Sequence, residues 1–437
     1  MFRLVAVATF SICLLACGTR RPVFDAGVEE DAGMEVDAGR PRGDDPASGW
    51  QVAVPLPTGA AVSSRLGVSV TSLGDQFGQP MIAMLYEDPN GDLNYDDNRV
   101  VFTRWDGVAK AFTALQTIEV VGGAVTQNPD RQISLARDAD TGRIAIAYVK
   151  AQNNTVRLAI SDDEGAHFSL STVSDSAVTP FMSNPSVGLA GSTTHVAYVQ
   201  GNELQYRKSV AGAAFTSPSP LAVTLAQHAA LSLGVDSAGN PGVAFFVDVA
   251  GTSADLAFWR PGSSAVTVAS ADMLDLAVES RRPSVSLTFV GTTPHLAFHL
   301  QKADAVDATQ LWYAKASDAG ATWSAPIAIP RNSSSATEFH STQWYQAISV
   351  ESTGRVSISA PWSAIGTQVN CNGPKLARAP DGLSFTTCSP AGSPVQRGGD
   401  WVSMWSHRVG KQTMVFVYDV SRNNPNLKPG VVMWREP

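Results

Sequence analysis

One short pattern recurs seven times along this chain: an apolar residue, then Ser or Gly, then another apolar residue. It reads Val68-Ser69-Val70, Ile133-Ser134-Leu135, Val187-Gly188-Leu189, Leu233-Gly234-Val235, Val285-Ser286-Leu287, Ile348-Ser349-Val350 and Val402-Ser403-Met404. The central residues lie 46 to 65 positions apart. A second apolar run follows each copy, such as RIAIAYVK at 143–150 or NPGVAFFVD at 240–248. A third follows that, such as TVRLAIS at 155–161. β-Branched and aromatic residues fill these runs, and Gly, Asn, Asp and Pro separate them, which is the grammar of strands and turns. No helix-period stretch of useful length interrupts them. A unit this small cannot bury a core alone, so the copies must stack on one another.

The expected fold is therefore all-β: a seven-bladed β-propeller of four-stranded antiparallel blades over residues 49–437. The small central residue suits an innermost strand, where bulky side chains would collide near the axis. The seventh copy runs through VVMWREP at 431–437 and stops after a third strand. SGWQVAVPLP at 48–57 has the pattern of the missing fourth. Residues 50–56 are thus expected to pair as the outer strand of the last blade, closing the ring and hiding two sheet edges.

The first residues, MFRLVAVATFSICLLACG, have one basic residue before an apolar run too short to span a bilayer as a helix. Leu14-Leu15-Ala16-Cys17 resembles the lipobox of bacterial lipoproteins. That resemblance implies a signal peptide over 1–16, cleavage before Cys17 and lipid on its sulfur. It directs the chain to the cell envelope, to an outer rather than an inner membrane, with the body in the periplasm or at the cell surface. Residues 17–48 repeat Asp-Ala-Gly at Asp25, Asp31 and Asp37 and hold few apolar side chains, as expected of a disordered tether. Its acids contribute to a net charge of -8 for the 437-residue chain. The body has no basic block, which argues against nucleic acid as a partner. The membrane is expected to be touched through the lipid anchor only, by a monomer. Beyond Cys17, only Cys371 and Cys388 remain to the mature chain. They flank a hairpin-like segment, and a disulfide between them is expected in an oxidising compartment, with two buried thiols as the alternative.

The stretch SDDEGAHF holds Ser161, Asp163, Gly165 and Phe168, and ASDAGATW holds Asp318, Gly320 and Trp323 at the same offsets. Both resemble the Asp box, Ser-x-Asp-x-Gly-x-x-Trp, of the sialidase-like (BNR-repeat) β-propellers, with Phe168 for the Trp and Ala316 for the Ser. Weaker echoes stand at Asp106-Gly107, Ala211-Gly212 and Asp381-Gly382. The aspartate can accept turn amides, the glycine can take φ > 0 and the aromatic can plug between sheets, so these residues are expected to be structural. In that family the boxes lie away from the active centre. The resemblance covers the fold and is silent on activity.

A sialidase-type enzyme would need an arginine triad, an aspartate acid and a tyrosine activated by a glutamate. The family's Phe/Tyr-Arg-Ile-Pro motif is absent; Ala328-Ile329-Pro330-Arg331 has the wrong order and lies far along the chain. Residues just before the first strands should ring one mouth of a propeller's channel. By position these are Arg65, Arg131, Asn184, His228, Arg282, Tyr345 and Asp400, with Asp130 and Arg281 adjacent. Arg65, Arg131 and Arg282 could hold an acidic group by bidentate hydrogen bonds, or be paired with Asp130 and Asp400. Glu279 and Glu338 are candidate partners for Tyr345. No cofactor is required. Calcium is a candidate ligand for the alternating oxygens of Asp88, Asn90, Asp92 and Asp96, although Leu93 stands where an EF-hand has glycine and no glutamate ends the loop. A solvated turn explains the same residues. Trp344, Tyr345, Trp362, Trp401 and Trp405 fall in what read as later loops, where they could stack on sugars or plug between blades. The expected role is recognition of a glycan or an envelope or extracellular protein at the mouth, without catalysis. A sialidase-like glycoside hydrolase on acidic sugars and a structural envelope protein are the alternatives.

Overall fold

The computed structural model describes residues 46–55, 70–74, 78–86, 95–122, 133–178, 184–221, 223–226, 231–249, 253–270, 272–273, 283–300, 310–330, 346–360, 375–388, 401–406, 412–418 and 430–437. Strand β1 spans Gly49–Pro55. In the first sheet β2 (Val70–Gly74), β3 (Pro80–Tyr86) and β4 (Arg99–Asp106) are followed by short β5 (Ala111–Phe112) and β6 (Gln116–Val120), both on β4. The second sheet holds β7 (Ile133–Arg137), β8 (Ile144–Lys150), β9 (Thr155–Ser161) and β10 (Ser169–Thr172). The third holds β11 (Ser186–Ala190), β12 (Thr193–Gln200), β13 (Glu203–Val210) and β14 (Ser219–Leu221). The fourth holds β15 (Ser232–Val235), β16 (Pro241–Val249), β17 (Ser253–Trp259) and β18 (Val266–Ala269).

In the fifth, β19 (Ser284–Val290), β20 (Thr293–Leu300) and β21 (Gln310–Ser317) carry β22 (Thr322–Trp323) and β23 (Ile327–Ala328) on the outer side of β21. The sixth holds β24 (Ala347–Val350), β25 (Val356–Ala360), β26 (Lys375–Ala379) and β27 (Thr386–Cys388). The last holds β28 (Trp401–Ser406), β29 (Gln412–Tyr418) and β30 (Gly430–Arg435). Its outer place is taken by β1, which pairs antiparallel with β30 from Gly49↔Arg435 to Pro55↔Gly430, with a register shift between Val52 and Val54.

Second strands read as continuous apolar runs because both of their faces are covered. Ile144 through Val149 are all buried, whereas the outer strand β10 is exposed at every residue. The core is a series of seams between neighbouring sheets. One packs Met81, Ala83 and Phe102 against Ile133, Ile146 and Tyr148; the next packs Ala147 and Leu158 against Val187 and Val196. Further seams join the third sheet to the fourth, the fourth to the fifth and the fifth to the sixth. Each fully buried Ile, Leu or Phe here contributes roughly 1.5–3 kcal/mol.

First strands lie side by side in chain order, β2 by β7, β7 by β11, β11 by β15, β15 by β19, β19 by β24, β24 by β28, and β28 by β2. This is the arrangement of a β-propeller. The small residues of the recurrent pattern sit where these strands crowd. A Cβ on Gly188 would stand 2.6 Å from Leu233 Cδ2 and from Val235 Cγ2, and one on Gly234 would stand 3.0 Å from the Phe289 ring. Serines supply a second link. A first strand is an edge of its sheet, and N–H groups there need partners outside the ladder. Val187 N donates to Ser134 Oγ (3.2 Å), Leu233 N to Ser186 Oγ (2.9 Å), Leu287 N to Ser232 Oγ (3.0 Å) and Ile348 N to Ser286 Oγ (3.3 Å).

Strand direction alternates within each sheet, so first strands begin and second strands end on one side, the mouth. Third strands end on the other side, the lower face.

Candidate functional site

Most residues expected at the mouth fall outside the described residues: Arg65, Asp130, Arg131, His228, Arg281, Arg282, Tyr345 and Asp400, with Glu279 and Glu338. Cys17, Cys371, Asp88, Asn90 and Asp92 also fall outside them. The strands that follow the mouth residues are described. β7 begins two residues after Arg131, β19 two after Arg282, β24 two after Tyr345, and β28 directly after Asp400. Asn184 precedes β11 by two residues and is buried, with φ 38°. Trp401 and Trp405 belong to β28 rather than to a loop. The loop assignment fails because aromatics are as much at home at strand positions as in connections.

A second group at the mouth was not anticipated. Gln346, directly after Tyr345, is buried and donates through Nε2 to Ser284 O (2.8 Å) and Ala297 O (2.8 Å). Its Oε1 meets Ser284 Oγ and lies 3.0 Å from His299 Nδ1. One side chain thus binds the starts of β19 and β24 to the end of β20.

A tyrosine–glutamate pair does exist, at the mouth end of the first seam. Tyr148 OH donates to Glu119 Oε2 at 2.5 Å, with Lys150 Nζ on Oε1 at 2.8 Å and Arg157 Nε on Oε2 at 3.1 Å. Burial pushes the Glu119 carboxyl up, but the hydrogen bonds from Lys150, Tyr148 and Arg157 outweigh it and hold the group below its usual range. The Tyr148 phenol is pushed far up, first by burial and then by its bond to Glu119. Tyr148, Lys150 and Arg157 converge from β8 and β9 on one carboxylate of β6, so the group links the second sheet to the first.

Asp96 lies exposed in a short 3₁₀ turn, Tyr95–Asp97. Among the described residues no group of three or more His, Cys, Asp or Glu side chains could hold a metal ion. Cys388 ends β27, its backbone opposite Leu376.

The turn at 161–168 is built around one carboxylate. Ser161 Oγ donates to Asp163 Oδ1 (2.7 Å) and accepts from Gly165 N (2.7 Å), while His167 N donates to Asp163 Oδ1 (2.9 Å). The amide and the ring of His167, with the Ser161 hydroxyl, hold the exposed Asp163 carboxyl well below its usual range. The turn at 316–323 repeats the plan, with Thr322 N on Asp318 Oδ1 at 2.8 Å and Trp323 Nε1 on Gly320 O at 3.0 Å. Both turns lie on the lower face.

Each turn is grasped by the preceding sheet. Phe102 meets Phe168 edge to face at 5.4 Å, and Phe258 meets Trp323 at 5.3 Å. Two residues on from each Phe, an arginine reaches the carbonyl before the glycine: Arg104 Nη1 to Glu164 O (3.1 Å) and Arg260 Nε to Ala319 O (2.8 Å). The glycines admit the rings. Gly165 has φ +87° and Gly320 φ +105°, and a Cβ would stand 2.4 Å from Phe102 Cε1 or 2.3 Å from Phe258 Cε1. The available signal was a shared Phe-x-Arg at the end of two third strands, Phe102-Thr103-Arg104 and Phe258-Trp259-Arg260.

A second set of lower-face turns was also missed. Asp138, Asp236 and Glu351 each close the hairpin between first and second strands. Asp138 Oδ1 accepts from Thr141 N (2.8 Å), Asp236 Oδ1 from Asn240 N (2.8 Å), and Glu351 Oε1 from Arg355 Nε (2.9 Å). An acid followed by a positive-φ glycine, Gly142, Gly239 or Gly354, was the signal.

No protein-family model matches the chain, and no curated protein sequence matches it. Among solved structures the chain is similar to AofleA from Arthrobotrys oligospora, with 12% identity over 81% of this chain and 96% of that one, at TM-score 0.46. It is similar to the Aleuria aurantia lectin, a six-bladed β-propeller with a fucose recognition mode, with 14% identity over 80% of this chain and 99% of that one, at TM-score 0.44. It is also similar to the intramolecular trans-sialidase of Ruminococcus gnavus, with 12% identity over 84% of this chain and 93% of that one, at TM-score 0.41.

Proposed function

We propose that this chain is a lipid-anchored cell-envelope protein whose body, a seven-bladed β-propeller closed by β1 on β30, binds a glycan or protein partner at its mouth without catalysis. One observation carries the reading: the first strands succeed one another cyclically, β28 returning to β2. That succession supports a single opening surrounded by the residues preceding each first strand, Arg65, Arg131 and Arg282 among them. Arginines from three sheets suit an acidic group, since the guanidinium fork matches a carboxylate in two hydrogen bonds. The described tyrosine–glutamate pair supplies no support for a hydrolase, because Lys150 and Arg157 already occupy the Glu119 carboxylate. Calcium in the 88–96 loop and a Cys371–Cys388 disulfide belong to the same reading as proposals.

The test uses the chain from residue 17 onward with Cys17→Ser, on an array of neutral, sialylated and uronate-bearing glycans. Saturable binding to acidic glycans is expected, with at least a tenfold loss when Arg65, Arg131 and Arg282 are changed to alanine. Release of the aglycone from a fluorogenic sialoside or uronide would replace this reading with a hydrolase. Unchanged binding in the triple variant would move the site away from these arginines.

A further inference from the structure

We propose that the lower face rests on the lipid bilayer to which the chain is tethered, so that the mouth points away from the membrane. The proposal rests on the reading of Cys17 as the lipid-bearing residue and departs from the expectation that the anchor alone touches the membrane.

The first support is where the chain enters the folded body. β1 begins at Gly49, opposite Arg435, the last residue of the third strand β30. Third strands end on the lower face. Ser48 Oγ donates to Glu436 O at 3.2 Å. The Glu436 carboxylate meets Arg355, in the hairpin turn after β24, at 3.2 Å, and Arg378, near the end of β26, at 2.9 Å. These partners also lie on the lower face. The polypeptide leading back toward Cys17 therefore leaves the body on that side.

The second support is what that face exposes. Val108, Val210 and Leu383 are 64%, 50% and 56% exposed. Each sits where its third strand turns toward the fourth, in the first, third and sixth sheets. Three apolar tips thus stand on one face in sheets spread around the ring, where a bilayer can meet all of them at once. The mouth side also exposes apolar side chains, Val120, Val249 and Met273. Among the described residues these three lie on two sheets, the first and the fourth, and the chain does not enter on that side. Charges on the lower face are mixed: Asp163, Asp318 and Asp381 lie among Arg104, Lys208, Arg260 and Lys315. The matching surface is thus a zwitterionic lipid rather than an anionic one.

The tether makes weak contacts sufficient. From Cys17 to Gly49 is 32 residues. If residues 17–48 form the expected disordered tether, that length has a typical end-to-end distance of roughly 30 Å. Such a leash holds the body at an effective concentration of about millimolar, so side chains too few to bind a free body still set its orientation.

The experiment replaces residues 1–17 with a hexahistidine segment and holds the chain on phosphatidylcholine vesicles containing nickel-chelating lipid. A fluorescent amino acid is placed singly at 108, 210 or 383, or at 153 or 202 in the mouth-side turns. A lipid-borne spin quencher should more than halve emission at 108, 210 and 383 and leave 153 and 202 within a tenth of the lipid-free value. The quenching should persist in 0.5 M salt (~3–5 Å screening length). It should vanish at 383 when Val108→Asp and Val210→Asp are combined. Equal quenching on both faces, none on either, quenching at 153 and 202 alone, or loss in high salt would each overturn the proposal. Mass spectrometry of the N-terminal peptide judges acylation of Cys17 separately, so a missing lipid would remove the anchor without altering the vesicle result.

Discussion

Gly165→Ala separates two demands that the 161–168 turn makes on one residue. The first is conformational: φ is +87°, where an L side chain costs about 1–2 kcal/mol. The second is spatial. A Cβ would come within 2.4 Å of Phe102 Cε1, and Phe102 is 2% exposed, packed edge to face on Phe168. The ring cannot swing away without opening the first seam, and overpacking of this kind costs roughly 1–3 kcal/mol. Together the substitution should destabilise by about 2–5 kcal/mol. Two controls divide the sum. Gly191 has φ +54° with nothing within 4 Å of a Cβ, so Gly191→Ala reads conformation alone at about 1–2 kcal/mol. Gly188 has no positive φ but a Cβ contact of 2.6 Å, so Gly188→Ala reads crowding alone at about 1–3 kcal/mol. The entropy that alanine removes from the unfolded chain is common to all three. Urea unfolding followed by tryptophan fluorescence supplies the comparison. If Gly165→Ala falls within about 0.5 kcal/mol of Gly191→Ala, the close approach of Phe102 plays no part and the proposed grasp between sheets is wrong.

Other outcomes follow from the same contacts. His195 and His295 are buried against Tyr206 and Tyr313, and burial, then Lys208 and Lys315 respectively, lowers each to about 4. The unfolded rings bind protons near pH 6.5, so this stability is complete above that pH and is lost as pH falls through the window to about 4, on the order of 3 kcal/mol per ring. Denaturation at pH 7 and pH 4.5 should show a smaller acid loss in His195→Gln than in the parent; an equal loss would refute the assignment. Ser186→Ala removes the partner of Leu233 N and should cost about 1–2 kcal/mol in the same unfolding assay, more than alanine at the exposed Ser171. Tyr148→Phe should destabilise by about 1–2 kcal/mol while leaving any glycan binding unchanged. A loss of binding there would make the pair part of the site. A chain lacking residues 1–59 should lose much of its thermal stability, because β30 then has no outer partner; melting like the parent would contradict that.

What was legible in the sequence was whatever repeats locally. Ile144–Val149 announced a strand covered on both faces, and Gly188 and Gly234 announced crowding near an axis. Asp163 and Asp318 announced turns rather than chemistry. What escaped was whatever joins one sheet to the next. Arg104 meets Glu164 across 60 positions and Arg260 meets Ala319 across 59, separations at which no local pattern survives. The Tyr148–Glu119 pair and the Gln346 clamp escaped for the same reason, since each needs the seam to exist before its partners are neighbours. The residue type of Trp401 fits loop or strand alike, and only its pairing with Val417 decides between them.

The pairing of Gly49 with Arg435 has a consequence in time. At 5–20 residues per second, roughly 20–80 s separate the synthesis of the two partners. Throughout that interval Gly49–Pro55, GWQVAVP, is a strand without a neighbour. Its middle is apolar and uncharged, the composition that invites pairing with another copy. A nascent chain of this kind is most exposed to misassembly just before its last sheet forms, and a holdase would find its clearest target there.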